Sequence, residues 1–340
     1  MNILFSHFGI IYKGGFNRPF NLARGLAKLG HNVVIFTCQN QFKNFPYIKY
    51  YKDGVIIYAF PDILPKILTS KGYGFLSIIL KILQIKKMKF NVVISDAGHR
   101  PSSGYPCYFA KKYHNSLYIS EWWDYYGKEG QFNSKSFLFK FFLGKYECKA
   151  EIKNKIKADI VVVLSELTKK RAISLGIDPN KIFKIHGGAD TEHILLKSKI
   201  DFNRNNYKLL IGYIATCEED IKNINELIKV LNDSFIAKNV LLIIYGYKLS
   251  KDKKKKLFKF NNVYEYGWID YFKEGEKLLI PDIYVLLNED NLINNAGWPN
   301  KFGDYLASMG LYNLNLAIND YSWDTKAKEY ELIILSNFER

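Results

Sequence analysis

Short apolar runs alternate with amphipathic stretches along most of the chain. Residues 2–6 form the first apolar run, which leads into a glycine-containing loop. Asn17 is the predicted cap of a stretch with helical periodicity that continues to Leu29, Gly30 closes it, and a second apolar run covers Asn32 to Thr37. A strand, a loop, a helix and a second strand in this order begin a doubly wound α/β domain. The same pattern predicts strands at 54–59, 91–95, 116–120, 159–164 and 181–185, and helices near 74–87, 105–113, 134–157 and 166–175.

The pattern is interrupted once and then starts again. Residues 193–207 are polar and aperiodic, which indicates a linker between domains. Later strands are predicted at 208–214, 239–245, 262–265 and 282–287, with helices near 220–231 and 251–259. The sequence therefore predicts an α/β protein with two doubly wound domains, 1–195 and 206–320, and a closing helix in 321–340. Ligands are expected at the carboxyl ends of the strands, in a cleft between the domains.

Composition narrows the class of protein and of partner. The chain of 340 residues is 48% hydrophobic and carries a net charge of +16, which excludes a disordered protein and favours an anionic partner. Two apolar and basic stretches, Phe75–Phe90 and Ser134–Ala158, suit the headgroup region of an anionic membrane. They are equally typical of core helices with solvated basic faces.

Features that are missing from the sequence indicate where the protein is located and which metal sites are not expected. No apolar run is long enough to span a bilayer, and the N-terminus has no basic leader, so a cytoplasmic protein, peripheral on the inner membrane face, is expected. Four widely spaced cysteines without a CxxC pair argue against a disulfide framework and against structural zinc. Nucleic acid is not expected as a partner; a nucleic-acid-binding protein would lose duplex binding steeply with added salt.

The stretch from Asn291 to Ala307 is the best candidate for a ligand-binding segment. Pro299 is suited to the first turn of a helix, where its missing N–H costs nothing. Lys301 and Asp304 then lie three residues apart on one face of that helix. The free N–H groups and positive end of a helix favour an anion. A phosphate-bearing ligand is predicted here.

Glycines near the N-terminus form a second candidate. Gly14 and Gly15 follow the first strand and precede a helix, so the backbone can approach a ligand closely; a plain tight turn explains them equally well. Arg18, in the first helical turn, is expected to add a cation to this pocket. The segment GGFNR departs from GxGxxG, which disfavours a nicotinamide-dependent oxidoreductase.

Two further strand ends carry candidate side chains. His99 follows the strand at 91–95 and is a candidate general base, although a lone loop histidine is often structural. The segment EWWDYYG follows the next strand. Trp122 and Trp123, beside the acidic Asp124, are typical of a surface that stacks on sugar rings, and equally of an aromatic core corner.

Four segments together resemble glycosyltransferase family 4, whose members have the GT-B architecture. They are GGFNRPFNLARGLAKLGHNVVIFT, ADIVVVLSELTKKRAISLGIDPNKIFKIHGGAD, KNINELI and PDIYVLLNEDNLINNAGWPNKFGDYLAS, in the family's order. The resemblance implies that a sugar is transferred from a nucleotide-sugar donor to a glycan or lipid-linked acceptor, with retention and without a metal or other cofactor. It implies that Lys222 binds phosphate, that Lys301 and Asp304 hold the donor, and that the Gly15 loop faces the donor phosphates.

The chain also departs from the family pattern. Ala296 and Asp304 stand where the family has two glutamates, and Asp290 and Asn291 are candidates for the missing polar contacts. No arginine follows the second domain's first strand. Trp123 stands where a histidine is frequent, which leaves Asp124 as the nearest polar group and, with His99, as a candidate catalytic residue. Only Met309–Tyr321 separates two blocks that usually lie several tens of residues apart. A shortened second domain is therefore predicted, and a catalytically impaired sugar- or nucleotide-binding homologue is the alternative function.

Overall fold

The protein forms two compact units. The computed structural model describes residues 1–12, 14–39, 44–128, 130–195, 202–215, 218–269, 275–286, 296–297, 300–308 and 317–338. The first unit contains residues 1–187, 291–298 and 323–340, and the second contains 188–290 and 299–322. Within the described ranges, no helix is both long and apolar enough to cross a membrane.

The first unit is built on an eight-stranded sheet. Its strands are β1 (Asn2–Ile10), β2 (Asn32–Cys38), β3 (Ile48–Lys52), β4 (Val55–Phe60), β5 (Val92–Ser95), β6 (Leu117–Trp122), β7 (Ile160–Val163) and β8 (Ile182–Lys184). They are ordered β3-β4-β2-β1-β5-β6-β7-β8, and every neighbouring pair is parallel except β3 with β4. The central strands are buried on both faces, which is why they read as continuous apolar runs.

Helices cover both faces of this sheet. They are α1 (Asn17–Lys28), α2 (Lys66–Ser70), α3 (Phe75–Lys87), α4 (Pro101–His114), α5 (Phe137–Ile156) and α6 (Glu166–Ser174). A last helix, here numbered α13 (Trp323–Phe338), belongs to the same unit. Helices α1 and α13 share one core with the sheet, whereas α3, α4 and α6 contribute to the core on the opposite face. The unit is therefore doubly wound, as predicted.

The second unit has a four-stranded parallel sheet in its described part. The strands β9 (Leu209–Ala215), β10 (Val240–Gly246), β11 (Val263–Gly267) and β12 (Ile283–Tyr284) are ordered β11-β10-β9-β12. The helices are α7 (Thr191–Leu195), α8 (Glu218–Lys222), α9 (Asn225–Leu231), α10 (Ser234–Asn239), α11 (Lys251–Leu257) and α12 (Asn300–Ser308). Apolar cores lie on both faces of this sheet. It is the smaller of the two domains, and residues 309–316 of its short C-terminal connection lie outside the described residues.

The unit boundary differs from the predicted linker. The polar run at 193–207 suggested a division after 195, but the units divide between Gly187 and Gly188. The reason is that α7 joins the second unit, because Ile194 is completely buried in that unit's core. The closing helix, α13, instead packs against α1 in the first unit. A Cβ at Gly25 would lie only 2.5 Å from Ala327 Cβ, so the two helices are in close contact there.

Helix α4 begins earlier than predicted, even though it contains a proline. Pro106 cannot donate the usual helical hydrogen bond to the Ser102 carbonyl four residues earlier. That carbonyl instead accepts from the Lys81 ammonium at 2.8 Å and from the Ser6 hydroxyl at 3.2 Å. Lys81 also donates to the His7 carbonyl at 2.8 Å and is fully buried, and burial lowers the pKa of its ammonium. The side chain of a buried lysine thus replaces the bond that the proline removes.

Other local differences are small. Asn17 is the first residue of α1, and no side chain caps that helix, so the predicted Asn17 cap is wrong. The predicted helix at 220–231 is divided into α8 and α9. Strand β3 forms an antiparallel hairpin with β4. The pattern did not reveal it because the aromatic Tyr51 is exposed and Lys52 is half-buried, so apolar and polar residues do not alternate with burial.

Candidate functional site

The strand order of the first sheet reverses beside β1. The chain passes from β1 to β2 on one side and later returns to β5 on the other. In open α/β sheets, ligands bind outside the carboxyl ends of the strands at such a reversal. The end of β1 and the turn that follows β5 are therefore the places to look for functional side chains.

A histidine–aspartate pair lies at this reversal. His7 on β1 and Asp96 after β5 are both fully buried, and His7 Nδ1 is hydrogen-bonded to Asp96 Oδ2. The other carboxylate oxygen accepts from the Phe8 backbone N–H at 3.2 Å and from the Ser103 hydroxyl at 2.9 Å. These contacts fix the ring and leave Nε2, which is buried and has no hydrogen-bond partner within the described residues. Asp96 therefore holds the imidazole ring in one orientation.

Sequence reasoning missed His7. The strand was predicted to end at Ser6, whereas β1 continues to Ile10 with an irregular register after Ser6. The signal that points to it is positional: a histidine directly after one predicted strand, and an aspartate directly after the strand beside it. Both are strand ends of a parallel sheet, which meet at one edge.

His99 lies in the turn after β5 and is fully buried. Its ring is 4.2 Å from the Tyr126 ring, centroid to centroid, and neither ring nitrogen has a hydrogen-bond partner within the described residues. Burial, reinforced by the nearby Arg100 and Lys155 charges, lowers the pKa of His99 well below its ordinary value. The ring is therefore neutral at pH 7, and it is covered by protein in this conformation.

Glu121, at the end of β6, organises a buried polar network. Its Oε1 accepts from Arg18 Nε at 2.9 Å and from the Tyr330 hydroxyl of α13. Its Oε2 accepts from Trp123 Nε1 at 2.9 Å. The Arg18 guanidinium also donates to the His186 carbonyl at 2.9 Å and is only 4% exposed. The predicted role of Arg18 as a cation for a ligand is thus corrected, because its charge is neutralised inside the protein.

The two adjacent tryptophans have different environments. Trp122 is fully buried in the core, with Nε1 donating to Glu151 Oε1 at 3.1 Å, so it is a core residue and not a stacking surface. Trp123 is half-buried and lies against Gly15, where a Cβ would come within 2.4 Å of the ring. Gly14 and Gly15 form the turn that enters α1. The structure therefore brings the glycine turn and Trp123 together.

Asp124 follows Trp123 and is half-buried. Burial raises the pKa of its carboxyl group, and hydrogen bonds from Gln131 and Tyr126 act in the opposite direction. Within the described residues Asp124 and His99 do not contact each other. The structure therefore does not bring the two candidate catalytic residues of the sequence together as a pair.

The second sheet also reverses its order, between β9 and β12. Helix α8 folds back on the carboxyl end of β9, where the Tyr213 hydroxyl donates to the Asp220 carbonyl at 2.8 Å. Helix α12 is held at the same strand end, because the Ile214 N–H donates to the Tyr305 hydroxyl at 3.0 Å. Lys222, the last residue of α8, is exposed. Two helices that carry predicted donor residues therefore meet one strand end.

The other predicted donor residues are described to different extents. Asp304 is a half-buried residue of α12, and Lys301 lies in the same helix, but its side chain is outside the description. Asp290 and Asn291 lie outside the described residues. At Gly303, a Cβ would lie 2.5 Å from the Gly188 carbonyl oxygen, so α12 needs a glycine where it crosses this segment.

Lys248 is a further candidate that sequence reasoning missed. It lies two residues after β10 and is exposed, and a Cβ at Gly267 would lie 2.4 Å from its Cε. Its aliphatic chain is thereby held across the end of β11. A lysine two residues after a buried strand was the available signal. As for metals, no group of three or more His, Cys, Asp or Glu side chains converges in the part of the chain that the structure describes.

Comparison with known proteins gives the family. The model of Glycosyltransferase Family 4 matches residues 13–193, which is more than half of the chain. No curated protein matches the sequence as a relative.

Solved structures give the fold. Sucrose-phosphate synthase from Thermosynechococcus elongatus is similar at 12% identity with a TM-score of 0.65, over 99% of this chain and 90% of that one. Anabaena Alr3699/HepE in complex with UDP and glucose is similar at 12% identity and a TM-score of 0.62, over 99% and 100%. WaaG, a glycosyltransferase involved in lipopolysaccharide biosynthesis, is similar at 11% and 0.61, over 99% and 92%. With two Rossmann-like domains of the GT-B type, this chain belongs to Glycosyltransferase Family 4.

Proposed function

We propose that this protein transfers a sugar from a nucleotide-sugar donor to a glycan or lipid-linked acceptor, with retention and without a metal ion. The proposal rests chiefly on the order reversal of the second sheet, where α8 and α12 meet the carboxyl end of β9. Such a reversal is the usual ligand position in a doubly wound domain. The complex of Anabaena HepE with UDP and glucose supports a nucleoside diphosphate sugar as the donor.

Each donor residue has a role that follows from its charge and position. Lys222 and Lys301 stabilise the negative charge that develops on the leaving diphosphate, because fixed cations at a charge-forming centre lower the barrier. Asp304 accepts hydrogen bonds from the ribose of the nucleotide, with Asp290 and Asn291 as further polar contacts. Lys248 provides another cation at the same edge of the sheet.

The first domain provides the acceptor side. The Gly14–Gly15 turn gives close backbone approach, and the half-buried Trp123 ring stacks on a sugar ring. The acceptor hydroxyl oxygen bonds to the anomeric carbon as the bond from that carbon to the diphosphate breaks. The hydroxyl proton passes to the leaving diphosphate or to a nearby base. His7 is a further candidate base beside His99 and Asp124, because Asp96 fixes the orientation of its ring, although the ring is as deeply buried as that of His99.

Donor binding is tested by thermal shift with UDP and GDP. A ligand that binds only the folded state raises the unfolding temperature with its concentration. Lys222→Ala and Lys301→Ala should abolish this shift. Lys251→Ala, which removes an exposed charge from α11, should not change it. An unchanged shift in Lys301→Ala would remove Lys301 from the site.

One observation favours a second function, a donor-binding homologue that does not transfer sugar. Ala296 stands at one of the family's two glutamate positions and is fully buried. Its carbonyl accepts from the Ser165 hydroxyl at 2.8 Å and from the Thr168 hydroxyl at 2.7 Å. Incubation of the pure protein with labelled nucleotide sugars and a broad acceptor panel separates the two functions. Nucleotide binding without transfer or hydrolysis would select the second.

A further inference from the structure

The exposed surface of α5 changes from aromatic to basic along its length. Residues four apart on a helix adjoin in a row that turns by about 40° at each step, so neighbours in the row are in contact although its two ends do not share one face. On α5 this row begins with Phe137 and Phe141, which are 79% and 68% exposed, and continues with Lys145, Lys149 and Lys153. All three lysines are exposed. An exposed aromatic surface therefore passes directly into a row of cations.

The basic half of this row lines a groove of about 350 Å³ beside α4. Lys157, the next residue of the row, also lines it, with its ammonium 4.1 Å from the centre of the Tyr108 ring. Tyr146 of α5 donates a hydrogen bond to Tyr105 of α4 at 3.3 Å, which joins the two helices at the groove. Four lysines and two tyrosines thus line one concave space, together with Ala150 and Asn154.

No acid neutralises the groove within the described residues. Glu147 of α5 is buried and paired with Arg100, and Glu151 is buried beside Trp122 and Arg171. Asp159 is paired with Lys111. Each of these carboxylates is bound elsewhere, so the charges of Lys145, Lys149 and Lys153 remain uncompensated. An uncompensated row of ammonium groups at a groove attracts phosphate.

A second row of exposed apolar side chains lies on α3, which packs against α4. On α3, Phe75, Ile79 and Leu83 are four residues apart and between 39% and 62% exposed, and Lys87 follows them in the same row. Helix α3 packs against α4, which in turn is joined to α5. Two helices on the same side of the unit therefore show the same sequence of exposed apolar residues followed by lysine.

We propose that the groove lined by Lys145, Lys149, Lys153 and Lys157 binds the phosphate headgroups of anionic lipids. Phe137 and Phe141 then enter the boundary between headgroups and acyl chains. Charge alone would suit any polyanion, but exposed aromatic side chains in line with the cations match a membrane surface and not a duplex groove. This inference extends the lipid-linked acceptor of the proposed function, which places the protein at a membrane, and does not depend on the transfer chemistry.

Sedimentation with vesicles tests the proposal. The protein is mixed with vesicles of phosphatidylcholine alone or with added phosphatidylglycerol, and the bound fraction is measured. The triple variant Lys145→Gln, Lys149→Gln and Lys153→Gln should bind anionic vesicles on the order of a hundredfold less tightly, as three lysines near a charged surface predict. The matched control removes three exposed lysines of α11, Lys251→Gln, Lys255→Gln and Lys256→Gln, and should retain binding.

Further variants separate charge from apolar insertion. Replacing the three groove lysines with arginine should preserve binding, whereas Phe137→Ser with Phe141→Ser should weaken it while leaving the protein folded, because both rings are exposed. Equal losses in the groove and α11 variants would overturn the proposal, since charge at any position would then suffice.

The remaining arms identify the source of the phosphate. The lipid assignment would be overturned if inorganic phosphate bound the groove while vesicles did not. It would also be overturned if duplex DNA bound more tightly than vesicles and its binding depended on the same three lysines. The UDP thermal shift is measured on every variant. A groove variant that loses vesicles but keeps the UDP shift supports this inference, and a wild type that binds vesicles without a UDP shift counts against the donor site alone.

Discussion

Replacing Glu121 with glutamine should strongly destabilise the first unit. Glu121 is fully buried and accepts from Arg18, Tyr330 and Trp123, so its charge is the partner of a guanidinium that is itself buried. Removing one member of a buried ion pair leaves an uncompensated charge, which costs about 3–5 kcal/mol. Glu121→Gln keeps the size of the side chain, so the loss reports the charge and not a cavity.

Two control variants separate the loss of the charge from the loss of a single hydrogen bond. Tyr330→Phe removes one hydrogen bond to a carboxylate and should cost about 2 kcal/mol. The double variant Arg18→Met with Glu121→Leu removes both charges, and should be less destabilising than the sum of its single variants, because no buried charge is left alone.

The measurements are urea unfolding and hydrogen exchange. Unfolding followed by tryptophan fluorescence gives the change in free energy, and exchange of the α13 amides shows whether that helix loses protection when the Tyr330 contact weakens. If Glu121→Gln costs less than about 1 kcal/mol, Arg18 is not dependent on Glu121 and the reasoning fails.

Three further predictions concern pH and packing. Burial lowers the pKa of Lys155 to about 8, so unfolding takes up a proton between that pH and the ordinary lysine value. In urea titrations the stability of the wild type relative to Lys155→Met should therefore rise with pH across this range, by up to about 1.4 kcal/mol per pH unit. The same pH dependence in both proteins would contradict this prediction. His99 acts in the same direction at acid pH: its lowered pKa keeps it neutral when folded, so wild-type stability should fall relative to His99→Leu as pH drops below about 6.5. Identical acid transitions would show that His99 charges in the folded protein. Gly303→Ala should lower the midpoint of thermal unfolding, although alanine favours helices, because its Cβ would lie 2.5 Å from the Gly188 oxygen. An unchanged or higher midpoint would show that the backbone at Gly188 moves to accommodate the added Cβ.

Sequence patterns located most of the strands but did not show which polar side chains are buried and which residues they pair with. Continuous apolar runs identify buried parallel strands, so β1, β2 and β5 begin within a residue of their predicted starts. The pattern places His99 and Arg18 at strand and helix ends, but it contains no information on depth. Arg18 is buried with its charge paired, because it donates a hydrogen bond to Glu121 at 2.9 Å. The two residues are 103 positions apart in the sequence, so only the folded chain shows that pairing.

The same limit explains the missed His7 and the closing helix. A histidine one residue beyond a predicted strand has no local mark that separates a loop residue from one paired with Asp96. The helix at Trp323–Phe338 has a recognisable periodicity, but its partner, α1, lies about three hundred residues earlier in the chain. Periodicity indicates that an apolar face exists and does not identify what covers it.

The position of α13 has a consequence for how the protein is made. Trp323, Ala327, Tyr330 and Ile334 complete the core on one face of the first sheet, together with residues of α1. A ribosome synthesises every residue of the second unit before it reaches this helix. Helix α1 therefore stays uncovered until residues 323–338 have been synthesised, and the apolar surface around Gly25 needs shielding during that time. The larger domain begins first and is completed last.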